Sequence, residues 1–287
     1  MSYTVLDTLS LASGAVNEDR TGAWGDRAWV IDGATDIGLT PLTRAASDAS
    51  WFADEIHELL YDPQLELTGD LGDLPMSLAI MVARRFRHAR TREPEDRFEH
   101  PSASGVVVRF EDRTIDYVSV GDCTLIVAQR GAVLRLGSDL ADAGDKAVAR
   151  AIAAFQKSVG QGTGGQGTGS QEKDAGPTAE DARRHVWPEI RARRNRLNTA
   201  DGYGVWSITP PPQEFVRTGR AELDRGAAVL LASDGLMRLV DVYRALTLED
   251  LVERARGEGL ASLGRELRRI EAGDDANLAY PRAKTSD

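Results

Sequence analysis

The sequence predicts an α+β sandwich, and three observations carry that reading. Strand-like and helix-like stretches come in blocks rather than in strict alternation, which disfavours a doubly wound parallel sheet. A chain of 287 residues with 41% hydrophobic and 28% charged content is large enough to bury a full core in one unit. Three apolar strands break into an aspartate at or just past their ends: Trp29-Val30-Ile31-Asp32, Val118-Ser119-Val120-Gly121-Asp122 and Val229-Leu230-Leu231-Ala232-Ser233-Asp234. Such strands deliver acids to one edge of a layered core.

Taken in order, residues 3 to 11 alternate enough for a strand, and turn-rich Ser13 to Asp19 leads to a second strand, Ala28 to Ile31. Pro41 to Tyr61 repeats Leu42, Ala45, Ala49, Phe52, Ala53, Ile56, Leu59 and Leu60 at helical spacing, with Pro41 suited to a first turn. A second helix spans Pro75 to Arg90, with Leu78, Val82 and Phe86 on one face. Strands 105–110, 114–120, 124–129 and 132–136 then read as an antiparallel meander with charged or glycine turns. Helices are expected over 141–158 and 179–197, joined by a Gly-rich tract over 159–178 that holds too little apolar surface to order itself and is expected to be flexible. A strand at 227–232 ending in Ser233-Asp234-Gly235, and helices near 248–256 and 260–271, complete the expectation. One domain, 1–287, accounts for all of it.

A net charge of −10 disfavours nucleic acid and anionic membranes, which reward clustered Lys and Arg. A single cysteine, Cys123, permits no internal disulfide and no thiolate cluster, which fits a cytoplasmic protein. No targeting segment is expected, since the opening residues show no basic flank followed by an apolar core, and no run of eighteen apolar residues occurs in the sequence. A monomer is expected.

The recurring acids carry the chemistry. An Asp at the tip of a buried strand is short and rigidly placed, and the glycines after Asp32 and Asp234 permit tight turns and leave carbonyls open to a cation. Converging carboxylates need a counter-charge, and oxygen-only ligands favour Mg²⁺ or Mn²⁺ over zinc. Any one Asp-Gly pair is an ordinary turn; the series is what points to a dimetal hydrolase.

The succession Asn17-Glu18-Asp19, Asp32-Gly33, Ser104-Gly105, Val120-Gly121-Asp122, Ala232-Ser233-Asp234-Gly235 and Asp274-Asp275 resembles the type-2C metal-dependent serine/threonine phosphatases across nearly the whole chain. The resemblance implies a four-layer αββα sandwich of two antiparallel sheets flanked by helices, with a flap insertion here placed at about 141–212. It implies that Asp32 bridges two metals, that Gly33 offers its carbonyl, and that Asp234 and Asp274 ligate one ion. Glu18 or Asp19 would contribute through ordered water, and Asp122 would hold a third, weaker ion. Asp32 and Asp234 are thus the expected catalytic pair, with two Mg²⁺ or Mn²⁺ ions activating water against a phosphorylated protein substrate. The chain departs from the family pattern in lacking an arginine just before Asn17, for which Arg20 or Arg44 is the candidate substitute, and in carrying Cys123 and Asn277 where serine or threonine is usual. None of His57, His88, His100 and His185 sits beside a motif.

Gly162 to Gly167 matches G-x-G-x-x-G but lacks the strand–turn–helix setting of a dinucleotide site, and the basic helix after Arg183 reads as a solvated face. Two other functions compete: a small-molecule phosphomonoesterase with the same chemistry, and a catalytically silent phosphatase-like module that binds a phosphorylated partner.

Overall fold

The computed structural model describes residues 3–12, 14–37, 40–137 and 179–272. The expected helix at 141–158, the tract 159–178, and Asp274-Asp275 with the strand after them lie outside the described residues. Strands β1 (Asp19–Trp24), β2 (Arg27–Gly33), β3 (Ser102–Glu111), β4 (Thr114–Val120) and β8 (Arg217–Glu222) form one antiparallel sheet in the order β1-β2-β3-β4-β8, with β7 (Trp206–Ser207) paired to β3. Strands β5 (Thr124–Gln129), β6 (Ala132–Gly137) and β9 (Ala228–Ala232) form a second, in the order β6-β5-β9. Six helices accompany them among the described residues: α1 (Asp48–Tyr61), α2 (Leu74–Ala89), α3 (Ala179–Arg194), α4 (Asp234–Asp241), α5 (Leu248–Glu258) and α6 (Leu260–Glu271).

Strand alternation builds the layers. Trp29 and Ile31 of β2 and Val107 of β3 face α1 and α2, packing with Phe52, Ile56, Leu60 and Leu78. Val30, Val106 and Val108 point the other way and meet Leu125 and Val127 of the second sheet. On that sheet's far face Ile126 joins Met237, Leu239, Leu251 and Leu263 of α4, α5 and α6. The result is helices, sheet, sheet, helices: an αββα sandwich.

Four expectations change. Residues 3 to 11 make no ladder; instead Tyr3 stacks on Phe110 at 4.2 Å, and the Asp7 carboxylate accepts from Leu260 N at 2.7 Å at the start of α6. Helix α1 starts at Asp48 rather than Pro41, because Ser47 caps it and the Asp48 carboxylate turns the preceding chain back by accepting from Leu42 N at 2.6 Å and Thr43 N at 2.8 Å. The expected meander is split: β3 and β4 belong to one sheet, β5 and β6 to the other, and the chain crosses between them at Gly121-Asp122. Asp234-Gly235 opens α4 instead of making a tight turn.

Candidate metal centre

Strand register brings the acids together. Asp32 pairs with Asp19 across β1 and with Ser104 across β3, so the three side chains share one face at one end of the first sheet. Asp32 is in phase with Val30, which puts that face toward the second sheet. There Thr124 of β5 pairs with Ala232 of β9. Asp122 lies two residues before the first of these and Asp234 two residues after the second, so both loops project from the same end. Asp19 and Asp234 each come within hydrogen-bonding reach of the Asp32 carboxyl. Carboxylate oxygens of Asp32 and Asp122 and the Cys123 sulfur lie within 4.8 Å of one another.

Glycine permits the close approaches. A Cβ on Gly33 would stand 2.6 Å from the Glu18 carbonyl oxygen and 3.2 Å from that of Ala49. Gly121 adopts φ +86°, a region costly for other residues, and this turns Asp122 back onto Ser104. The Ser104 hydroxyl donates to the Asp122 carboxylate and accepts from Asp122 N at 2.5 Å.

The electrostatics are those of crowded like charges. Burial, then the Asp19, Asp234 and Asp122 carboxylates, push the Asp32 carboxyl well above the usual range. Burial also raises Asp19, with Asp234 and Glu18 adding to it. Arg20 offsets part of this at Asp19, but its guanidinium is already clamped by Asp54 at 2.5 and 2.9 Å and by the Asn17 and Asp19 carbonyls. The crowded carboxylates are hard oxygen donors, which fit divalent cations such as Mg²⁺ or Mn²⁺. Cys123 is buried, and its thiol is pushed well up by burial and by the surrounding acids, so it stands as a protonated neighbour and not as a nucleophile.

Of the sequence-predicted residues, Asp19, Asp32, Asp122 and Asp234 are brought together with Gly33 beside them, while Asp274 lies outside the described residues. Glu18 turns aside to accept from the Thr35 hydroxyl at 2.7 Å. His57 is occupied with the Trp29 indole N–H at 3.1 Å. Two residues were missed. Asp36 accepts from Asp48 N at 2.7 Å and Ala49 N at 3.2 Å, tying the loop after Gly33 to the start of α1. Arg194, at the end of α3, donates to the Thr35 carbonyl at 2.7 Å. No local pattern distinguishes Arg194 from the other arginines of that helix; only the tertiary fold does.

No family model and no curated protein sequence matches the chain. Among solved structures, the serine/threonine phosphatase PstP/Ppp of Mycobacterium tuberculosis superposes with a TM-score of 0.51 at 14% identity, over 91% of this chain and 87% of that one. The chain has the type-2C phosphatase fold. The catalytic domain of PstP in complex with two manganese ions gives a TM-score of 0.48 at 16% identity, over 91% of this chain and 87% of that one. Stp1 of Staphylococcus aureus gives 0.46 at 13% identity, over 96% and 93%. In the type-2C fold of this chain, the four described acids stand together at one end of the two sheets.

Proposed function

We propose that the chain is a Mg²⁺- or Mn²⁺-dependent phosphatase acting on phosphoserine and phosphothreonine in proteins. The observation that carries this reading is the convergence of Asp19, Asp32, Asp122 and Asp234 with Asp32 held well above its ordinary pKa, a like-charge arrangement that cations relieve. Asp32, with both Asp19 and Asp234 in reach, would serve the shared position, Asp122 an outer one, and Gly33 and Asp274 would add oxygens. Bound there, divalent cations would supply Lewis acidity and neutralise phosphoryl oxygens.

The remaining work falls to the chain. Ser104 fixes the Asp122 carboxylate, and Asp36 and Thr35 hold the loop that follows Gly33, so the carboxylates are preorganised rather than gathered by substrate. Cys123, protonated and buried, offers no covalent route, which supports direct attack of water on phosphorus. The flap region of about 141–212 would enclose α3 and its Arg194 contact, a position suited to selecting substrate at the cleft.

The test is hydrolysis of para-nitrophenyl phosphate and a phosphothreonine peptide with Mn²⁺, with Mg²⁺ and with excess chelator, for the wild type, Asp32→Ala and Asp234→Ala. Activity that needs the metal and is lost in both variants is expected; undiminished turnover by Asp32→Ala would refute the assignment. Preference for metabolite phosphates over the peptide would move the substrate to small phosphomonoesters. The silent-module reading draws on Arg20, whose engagement by Asp54 keeps it from gripping phosphate. Phosphopeptide binding without turnover by folded wild-type protein would select it.

A further inference from the structure

Helix α2 shows a second face that the metal centre does not use. Met76 and Ile80 are 49% and 46% exposed, and with Ala83, Arg84 and Arg87 they recur at the spacing of one helix stripe. The stripe runs about 16 Å, three helical turns. Beside it lies a groove of about 360 Å³ whose apolar wall is Ile80, Phe86, Ile208 and Pro210. That volume falls in the range of roughly 300–1,000 Å³ typical of clefts that hold ligands.

Charge chooses the occupant. The chain carries a net charge of −10, yet Arg84, Arg87 and Arg90 gather on this rim. Arg90 is paired with Glu93 at 2.6 Å, whereas Arg84 and Arg87 form no ion pair or hydrogen bond with any described residue. Two unpaired guanidinium groups beside exposed Ile80 and half-buried Ile208 and Pro210, with Phe86 buried beneath, complement carboxylates flanking an apolar anchor. The same groove is bounded by His100, which also lines the small cavity holding Asp36 and Arg194, so the groove abuts the contact between α3 and the loop after Gly33.

We infer that the α2 groove is a docking site for an acidic, amphipathic segment of a partner protein, whose apolar side chains enter between Ile80 and Ile208 while its carboxylates meet Arg84 and Arg87. This goes beyond the phosphatase reading and does not depend on it. Helical segments commonly seat in grooves of this kind through anchors three and four residues apart.

The test is fluorescence anisotropy of the full chain with a labelled fourteen-residue peptide carrying Leu and Phe at helical spacing and Glu elsewhere. Arg84→Glu combined with Arg87→Glu, and separately Ile80→Ser, should each weaken binding about tenfold or more. A peptide with Lys in place of Glu, or Ser in place of Leu and Phe, should bind no better than those variants. All three positions are on the helix exterior, so circular dichroism should be unchanged and para-nitrophenyl phosphate turnover, if the wild type shows it, should persist. Equal binding by wild type and both variants, equal binding of the Lys peptide, no binding of the acidic peptide by the wild type, or capture of phosphatidylglycerol vesicles in place of the peptide would overturn the inference.

Discussion

Asp36 offers a test of how the loop after Gly33 is held. Its carboxyl is pushed from an ordinary 3.8 up to about 6, chiefly by burial and then, with an opposing contribution from the Asp48 N–H, by the charges of Asp48 and Glu18. Because the folded value lies above the unfolded one, the fold binds a proton that the unfolded chain has released, and stability falls as pH rises between the two values. Above about pH 6 the loss is complete and amounts to roughly 3 kcal/mol; near pH 4 it is only about 0.5 kcal/mol. Asp36→Asn removes the charge and keeps one acceptor for the α1 N-terminus, at a cost of about 1–1.5 kcal/mol for the weakened bond to Asp48 N or Ala49 N. The variant should therefore be more stable than wild type by about 1–2 kcal/mol near pH 7.5 and less stable by up to about 1 kcal/mol near pH 4, crossing close to pH 5. Urea unfolding with chelator present, scored by midpoints at constant m, reads this directly. Destabilisation of equal size at both pH values would show that the carboxylate is not disfavoured in the fold and would refute the reasoning.

Three more outcomes follow from the site. Asp32→Asn should raise the melting temperature of the metal-free protein at neutral pH by a few degrees, since the amide removes a charge disfavoured by burial and by Asp19, Asp234 and Asp122, and it should abolish any rise on adding Mn²⁺; calorimetry with and without chelator checks both. Gly33→Ala sets a methyl 2.6 Å from the Glu18 carbonyl, so it should cost about 1–3 kcal/mol in chemical denaturation and weaken Mn²⁺ binding by titration calorimetry. Ser104→Ala leaves the half-buried turn at Asp122 without its bridging hydroxyl and should cost about 1–3 kcal/mol in chemical denaturation.

What was legible in the sequence, and what was not, divides along physical lines. Asp32, Asp122 and Asp234 could be read because each follows an apolar strand, buried before Asp32 and Asp122 and half-buried before Asp234, and packing between layers leaves a local mark in composition. Helices α2, α5 and α6 were placed to within a residue or two because their apolar stripes face a core. Strands β1 and β8 escaped notice because they are edges: Asp-Arg-Thr-Gly-Ala-Trp is half-buried without alternation, and Arg-Thr-Gly-Arg-Ala-Glu alternates only through small Gly219 and Ala221, so neither carries an apolar pattern. The false strand at 3–11 is the converse, for its alternation arises from packing: Leu9 and Leu11 press against Gly264 of α6 without a ladder. Pro41 suggested a helix start, but the Asp48 carboxylate satisfies Leu42 N and Thr43 N and claims those residues for a turn. Asp36 was invisible for a related reason: its partners, Asp48 N and Ala49 N, are orphan donors of a helix twelve residues away.

Crowded carboxylates repel, so their geometry persists without a cation only if the surrounding chain over-determines it. The β2 backbone is pinned on both sides by β1 and β3, with Trp29 and Ile31 fully buried beneath it. Beyond Gly33 the loop has three further anchors. Ala34 N donates to Ser102 O at 2.9 Å, Thr35 is held through its hydroxyl by Glu18 and through its carbonyl by Arg194, and Asp36 takes the α1 N-terminus. Thr35 is a junction, since one bond ties it to Glu18, the residue before β1, and the other to α3. Withdrawal of α3 would free the Thr35 carbonyl and leave the Glu18 bond and the Asp36 anchor in place, so the acids would keep their register. The cluster thus draws its rigidity from the sheet and α1, while the contact with α3 is a separable addition at its margin.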